Sequence, residues 1–302
     1  MSRTKSLRIL TLGLRHHRSF ASGIRTIEIT PPNDATKWAG LIDAVTKYRQ
    51  PHINVSVVHQ NPYNTQTFSL ELAKHMPSEY VIPHIGISSY NPHDIEVLLN
   101  KYKENAFKRV FIIRGDKNHY ADNKSALVGN SLVMRTTSLS SQSTVLDVVR
   151  LARNMDFKVG AACHPEGHIE APSVNSQIEN ALKKQEAGCN YLVTQSIFHL
   201  PPFIHFERAA KASGLRIPIA VNIFPIKSSM FLQRFIDQNK ITIPNELINF
   251  SDKEKQNYYS NLIGDLIRLN HSIVFSSLNK FDLLNTLEPC TKNDYDGSSL
   301  SL

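Results

Sequence analysis

The chain is poor in cysteine. Its three, Cys163, Cys189 and Cys290, are widely spaced and odd in number, which excludes a disulfide framework as the source of its stability. No apolar run approaches the ~18 residues that a bilayer-spanning helix needs, so no membrane association is expected. No G-x-G-x-x-G follows a first strand, and the usual dinucleotide fingerprint of a doubly wound sheet is therefore missing. Lys and Arg outnumber Asp and Glu by 34 to 26, a formal net charge of +8. They are nevertheless scattered, with no dense patch interleaved with aromatics, which argues against a nucleic-acid partner. The surplus reads as a solvated basic surface or as a field that steers a small anionic substrate.

Acid is also absent from the start of the chain. Nothing before Glu28 is acidic, while Arg3, Lys5, Arg8, Arg15, Arg18 and Arg25 interleave with Leu7, Ile9, Leu10, Leu12 and Leu14. An Arg-rich, Ser-rich, acid-poor amphipathic start marks residues 1–22 as an organelle transit peptide, or as a helix packed outside the main domain. The first reading predicts a mitochondrial protein and the second a cytoplasmic one.

What is present is a repeated alternation. Of 302 residues, 41% are hydrophobic, enough for a large core. From Gly23 onward, short β-branched runs alternate with amphipathic stretches. Strands are predicted at 24–30, 53–58, 80–85, 109–114, 159–163, 191–195, 217–223 and 272–276. Near-continuous apolar runs such as Val110–Ile113 suit strands covered on both faces. Between them, Asn91-Pro92 reads as an N-cap and first helical residue, and Ser251 with Glu254 has capping-box spacing. Gly188 and Gly214 sit where helices should stop. Strands alternating with helices predict an α/β fold, and eight of them favour a single (β/α)₈ TIM-type barrel over residues 23–289 against a doubly wound sheet. The Ser/Asn-rich stretch 117–142 would be a large loop on the catalytic face, and the polar residues 290–302 a disordered tail.

Barrel enzymes carry their chemistry at the C-terminal ends of the strands. Those ends read Glu28 before Pro31-Pro32, Val58-His59-Gln60, His84, Arg114-Gly115-Asp116, His164-Pro165-Glu166-Gly167-His168, Thr194-Gln195 and Asn222. His164, Glu166, His168 and Glu170 would suit zinc or iron by residue type, but Pro165 and Gly167 prevent a helical ligand pair, and no metal is expected.

These segments carry a resemblance. Glu28-Ile29-Thr30-Pro31-Pro32, Pro83-His84, Arg114-Gly115-Asp116, His164 through Ala171, Ala187-Gly188 and Thr194-Gln195 resemble, in order and spacing, the motifs of the methylenetetrahydrofolate reductase family. The resemblance runs from about Gly23 to Leu287 and identifies a divergent member, a catalytic domain alone. It implies an FAD enzyme that passes hydride from NAD(P)H to 5,10-methylenetetrahydrofolate, giving 5-methyltetrahydrofolate, in the one-carbon metabolism that feeds methionine. Homo-oligomerisation is compatible with it.

By the same resemblance Glu28 is the general acid and Asp116 the carboxylate between flavin and pterin. His84, Arg114, Gly115, His164 and His168 correspond to flavin-contacting positions, and Asn180, Lys183 and Lys184 to those holding the cofactor's phosphate and adenosine. Gln195 corresponds to the amide that holds the pterin, Phe235 to an aromatic that stacks on nicotinamide, and Lys280 to a base contacting the folate tail. The chain departs from the pattern in its pocket walls. Ile85-Gly86-Ile87 replaces Leu-Thr-Cys, His164 replaces a tyrosine, Val58-His59 replaces Thr-Tyr, and Val221-Asn222 replaces Pro-Gly. The competing readings are a folate- or flavin-binding paralogue without turnover, and a barrel oxidoreductase acting on another substrate.

Overall fold

A computed structural model describes residues 24–49, 52–59, 61–115, 144–167, 173–226, 228–239, 243–276 and 278–281. The expectations for residues 1–22, for the stretch 117–142 and for the tail 290–302 lie outside them, as do Asp116 and His168.

Among the described residues there are eight strands, β1 (Ile24–Ile29), β2 (Asn54–Val57), β3 (Val81–Gly86), β4 (Arg109–Ile113), β5 (Lys158–Cys163), β6 (Tyr191–Thr194), β7 (Ile219–Ile223) and β8 (Ile273–Ser276). They close in sequence order into a barrel, and every neighbouring pair, including β8 with β1, is parallel. The chain is a single TIM-type barrel. Each observed strand lies within two residues of its expected bounds. The largest trim is at β7, which begins at Ile219 instead of 217.

The helices are α1 (Trp38–Tyr48), α2 (Pro62–Leu72), α3 (Pro92–Glu104), α4 (Val145–Asn154), α5 (Val174–Glu186), α6 (Leu200–Ala212), α7 (Ser229–Asn239), α8 (Asn245–Asn249) and α9 (Asp252–Arg268). Local chemistry sets their ends. Asn91 accepts from the Asp94 backbone at the start of α3, and Ser251 and Glu254 form a reciprocal capping box at α9. Thr144 and Asp147 form a second one at α4. Gly188 follows α5 at φ +102 and Gly214 follows α6 at φ +103, the left-handed conformation that ends a helix without a Cβ penalty.

Strand side chains alternate between two environments. Ile27, Ile29, Val55, Val57, Val110, Ile112, Val159, Ala161, Leu192, Val221, Ile273 and Phe275 belong to the main core shared with the helices. The intervening residues point into the barrel, where Ile82, Phe111, Val193 and Val274 form a smaller cluster. Thr26, Ser56, His84, Asn222 and Ser276 are the buried polar residues of the same inward set. An apolar shell thus surrounds an interior that is polar toward its C-terminal end, which is where the site lies.

Candidate active site

Glu28 is the centre of the inward polar set. Register places it beside Ser56 of β2 and Ser276 of β8. Its Oε2 accepts hydrogen bonds from the Ser276 hydroxyl and from Asn222 Nδ2 at 3.3 Å. Asn222 is held in turn: Nδ2 also donates to Ser276 Oγ at 2.9 Å, Oδ1 accepts from the Ser196 hydroxyl at 2.9 Å, and its backbone N–H donates to Thr194 Oγ1 at 3.0 Å. Strands β6, β7 and β8 therefore all fix the carboxyl group on β1.

Burial penalises the charged form of Glu28 and raises its pKa, outweighing the two hydrogen bonds that favour ionisation. On the other side His84 Nε2 stands 3.9 Å from Glu28 Oε1 and shares a 2.6 Å hydrogen bond with the Ser56 hydroxyl. Burial, reinforced by nearby His59, pushes His84 down to about 3. Near neutral pH the imidazole is uncharged, so the short approach to Glu28 is no ion pair. A proton shared between the two belongs to the carboxyl group.

Two glycines at the strand ends admit polar side chains. The His59 ring lies over Gly86, where a Cβ would come within 2.4 Å of it, and His59 Nε2 meets Ser89 Oγ at 3.1 Å. Gly115 has φ +81, and a Cβ there would stand 2.5 Å from Ser88 Oγ. The Arg114 carbonyl accepts from the Ser88 backbone at 2.8 Å, tying the exits of β3 and β4 together. Arg114 itself is exposed.

The other expected residues spread around the barrel. His164, half-buried after β5, accepts at its carbonyl from Gly167 N. Gln195, half-buried after β6, donates its backbone N–H to Cys163 O at 2.9 Å. On α5, Asn180 is half-buried and Lys183 exposed, whereas the Lys184 ammonium donates to the Ala162 carbonyl at 2.6 Å. Burial lowers the Lys184 pKa and pushes the adjacent Cys163 thiol up to about 12, which makes Cys163 a packed residue instead of a nucleophile. Phe235 on α7 packs among Phe198, Phe224 and Phe231, with centroids 6.0, 5.4 and 6.4 Å away. Lys280 is exposed after β8. Next to it, the Asn279 side chain exchanges two hydrogen bonds with the Thr30 backbone, locking the exits of β8 and β1.

Of the expected residues, the structure brings Glu28 and His84 together inside the barrel. The sequence had not singled out Ser56, Ser276 or Asn222 as site residues, though Asn222 was noted as a polar strand end. Exposed Arg114 and Lys183 are cationic side chains of the kind an anionic dinucleotide such as FAD would need, whereas the Lys184 ammonium is drawn against β5. Among the described residues, no three His, Cys, Asp or Glu side chains converge as a metal site, and no helix is long and apolar enough to cross a membrane.

A family model for methylenetetrahydrofolate reductase matches residues 14–264 of the chain. The 5,10-methylenetetrahydrofolate reductase of Escherichia coli (strain K12) is 22% identical over 225 residues, covering 72% of this chain and 70% of that protein. Its counterpart in Buchnera aphidicola subsp. Schizaphis graminum is 25% identical over 219 residues, 68% of each chain. Among solved structures, an uncharacterized protein from Clostridium thermocellum that binds two copies of 5-methyl-5,6,7,8-tetrahydrofolic acid shares the fold, with a TM-score of 0.61 and 16% identity. The match covers 88% of this chain and 94% of that one.

Proposed function

This chain belongs to the methylenetetrahydrofolate reductase family, and we propose that it reduces 5,10-methylenetetrahydrofolate to 5-methyltetrahydrofolate, using FAD and NAD(P)H. One observation carries the reading: a buried carboxyl group, Glu28, is held by Ser276 and Asn222 and keeps its proton to higher pH than an ordinary glutamate, beside a histidine whose pKa burial pushes down. Opening the methylene bridge of the substrate requires a proton at the departing nitrogen, and a carboxylic acid with a raised pKa is suited to give it. Asn222 and Ser276 fix one oxygen of that acid, so its orientation is set before substrate arrives. The names of the reductase relatives, and the methyltetrahydrofolate bound by the Clostridium thermocellum protein, support a folate substrate.

FAD would supply the hydride-transfer chemistry when bound. Arg114, Gly115, His164, Asn180, Lys183 and Lys184 would hold it, with Asp116, His168 and, from the barrel interior, His84. Gln195, Phe235 and Lys280 would receive the folate and nicotinamide. A paralogue that binds flavin or folate without turnover is the second reading. It is favoured by Lys184, whose ammonium is engaged by the Ala162 carbonyl and buried beside Cys163 and Cys189.

The purified protein is expected to show a flavin spectrum or to take up added FAD, and a protein that binds none overturns the flavin assignment. The reduced, anaerobic enzyme should be reoxidised by methylenetetrahydrofolate. Glu28→Gln should abolish that half-reaction while leaving reduction by NAD(P)H intact. Loss of both would make Glu28 a structural residue, and binding without reoxidation in the unaltered protein would favour the paralogue.

A further inference from the structure

The barrel interior is not filled to its N-terminal end. A cavity of about 500 Å³ opens there, on the face opposite the strand C-termini. Its floor is Glu28, Ser56 and His84, and its walls include Ile82, Phe111, Val193, Ala220 and Val274. Its mouth is formed by the first residues of the strands and the loops before them, and three of these are cationic: Arg25, Arg109 and Lys158. Small barrels usually pack their interiors with large side chains. Here Ser56, Gly160, Ala162 and Ala220 take inward positions, and space remains.

The mouth is organised for an anion. Arg109 is half-buried, and its guanidinium donates to Asn54 Oδ1. Asn54 Nδ2 in turn donates to the Arg25 carbonyl at 3.0 Å, which fixes the pair. Lys158 is exposed at the start of β5. Among the described residues, Glu28 is the one carboxyl group lining the cavity, and it lies at the floor, away from the cations.

Tyr191 completes the aromatic part of the wall. Its ring packs over Gly160, where a Cβ would come within 2.4 Å of it, and lies 6.5 Å from the Phe111 ring. Its hydroxyl is buried and has no hydrogen-bond partner among the described residues. That hydroxyl presents no accessible surface to the cavity, so the wall offers the flank of the ring and not its donor. A basic mouth and an apolar, aromatic lower wall match a ligand with one anionic end and a flat hydrophobic body.

We propose that the N-terminal mouth of the barrel binds a small aromatic carboxylate, its charge held by Arg109 and Lys158 and its ring against Phe111, Val193 and Val274. Apart from that floor, the site is separate from the cofactor and folate positions described above. It shares only its floor, Glu28 and His84, with the proposed chemistry.

The probes are 2-naphthoate and its uncharged analogue 2-naphthamide, titrated calorimetrically into the full chain at neutral pH and low salt. Naphthoate should bind one per chain, and the amide at least tenfold more weakly. Arg109→Gln should weaken naphthoate tenfold or more. Arg150→Gln, which removes an exposed charge on α4 outside the cavity lining, should leave the affinity unchanged. Circular dichroism melting checks that each variant is folded, and Lys158→Gln replaces Arg109→Gln if that variant is not. Equal affinity for acid and amide, loss in Arg150→Gln equal to that in Arg109→Gln, or no binding by the folded unaltered protein would each overturn the proposal.

Discussion

The side chains around Glu28 divide one proton unequally. Ser276 and Asn222 both favour its ionised form, while burial opposes it more strongly. Removing the hydroxyl in Ser276→Ala should therefore raise the Glu28 pKa further. In the proposed reoxidation half-reaction, the alkaline limb of the pH–rate profile should move to higher pH, which stopped-flow absorbance would read. His84 has the opposite sign. Its folded pKa is about 3 against an ordinary 6.5, so its contribution to stability is full above pH 6.5 and is lost as pH falls toward 3. The loss amounts to about 1.4 kcal/mol for each pH unit below 6.5. Urea unfolding of the wild type and His84→Gln at pH 7 and pH 5 should show that slope in the wild type and lack it in the variant. Glycine 86 is a third test at this scale. Gly86→Ala drives a Cβ into the His59 ring and should cost about 1–3 kcal/mol, as overpacking does. His59→Ala in the same chain should restore most of it.

At the scale of elements, short-range chemistry sets the helix ends and long-range pairing closes the barrel. The Ser251–Glu254 capping box fixes the start of α9, the helix that leads to β8. Ser251→Ala should lower stability by about 1 kcal/mol in denaturant titration, with no change in the chemistry of Glu28. Asn279 acts between elements, because its side chain occupies both backbone groups of Thr30. The eight strands were legible in advance because each is a short apolar or β-branched run between turn signals, and α3 and α9 announced themselves by Asn91-Pro92 and Ser251–Glu254. Strand ends were less legible. Asn54, Gly86 and Thr194 end or begin strands according to which partner their neighbours find, and that depends on the adjacent strand.

For the whole molecule, closure is what makes the site. Glu28 and Ser276 are 248 residues apart in sequence and meet only because β8 pairs with β1. The same closure leaves the interior polar at one end and open at the other, and its basic N-terminal mouth gives the net charge of +8 a local expression. We also propose that residues 1–22 address the chain to mitochondria. Fused to a fluorescent reporter, they should bring it there, and a diffuse cytosolic signal would refute the idea.

The sequence by itself determined the alternation of strands and helices, and hence the barrel, because apolar period and capping chemistry act over a few residues. It also marked Glu28 and His84 through their motifs. Only the tertiary structure decided that the two share a buried interior, that Ser56, Asn222 and Ser276 hold them, and that a cavity lies beneath. In a strand, neighbouring residues face opposite sides, so a serine or an asparagine reads the same in the sequence whether it points to solvent or into the barrel. Closing the sheet assigned the inward set, and burial there gave an ordinary glutamate its raised pKa and an ordinary histidine its loss of charge.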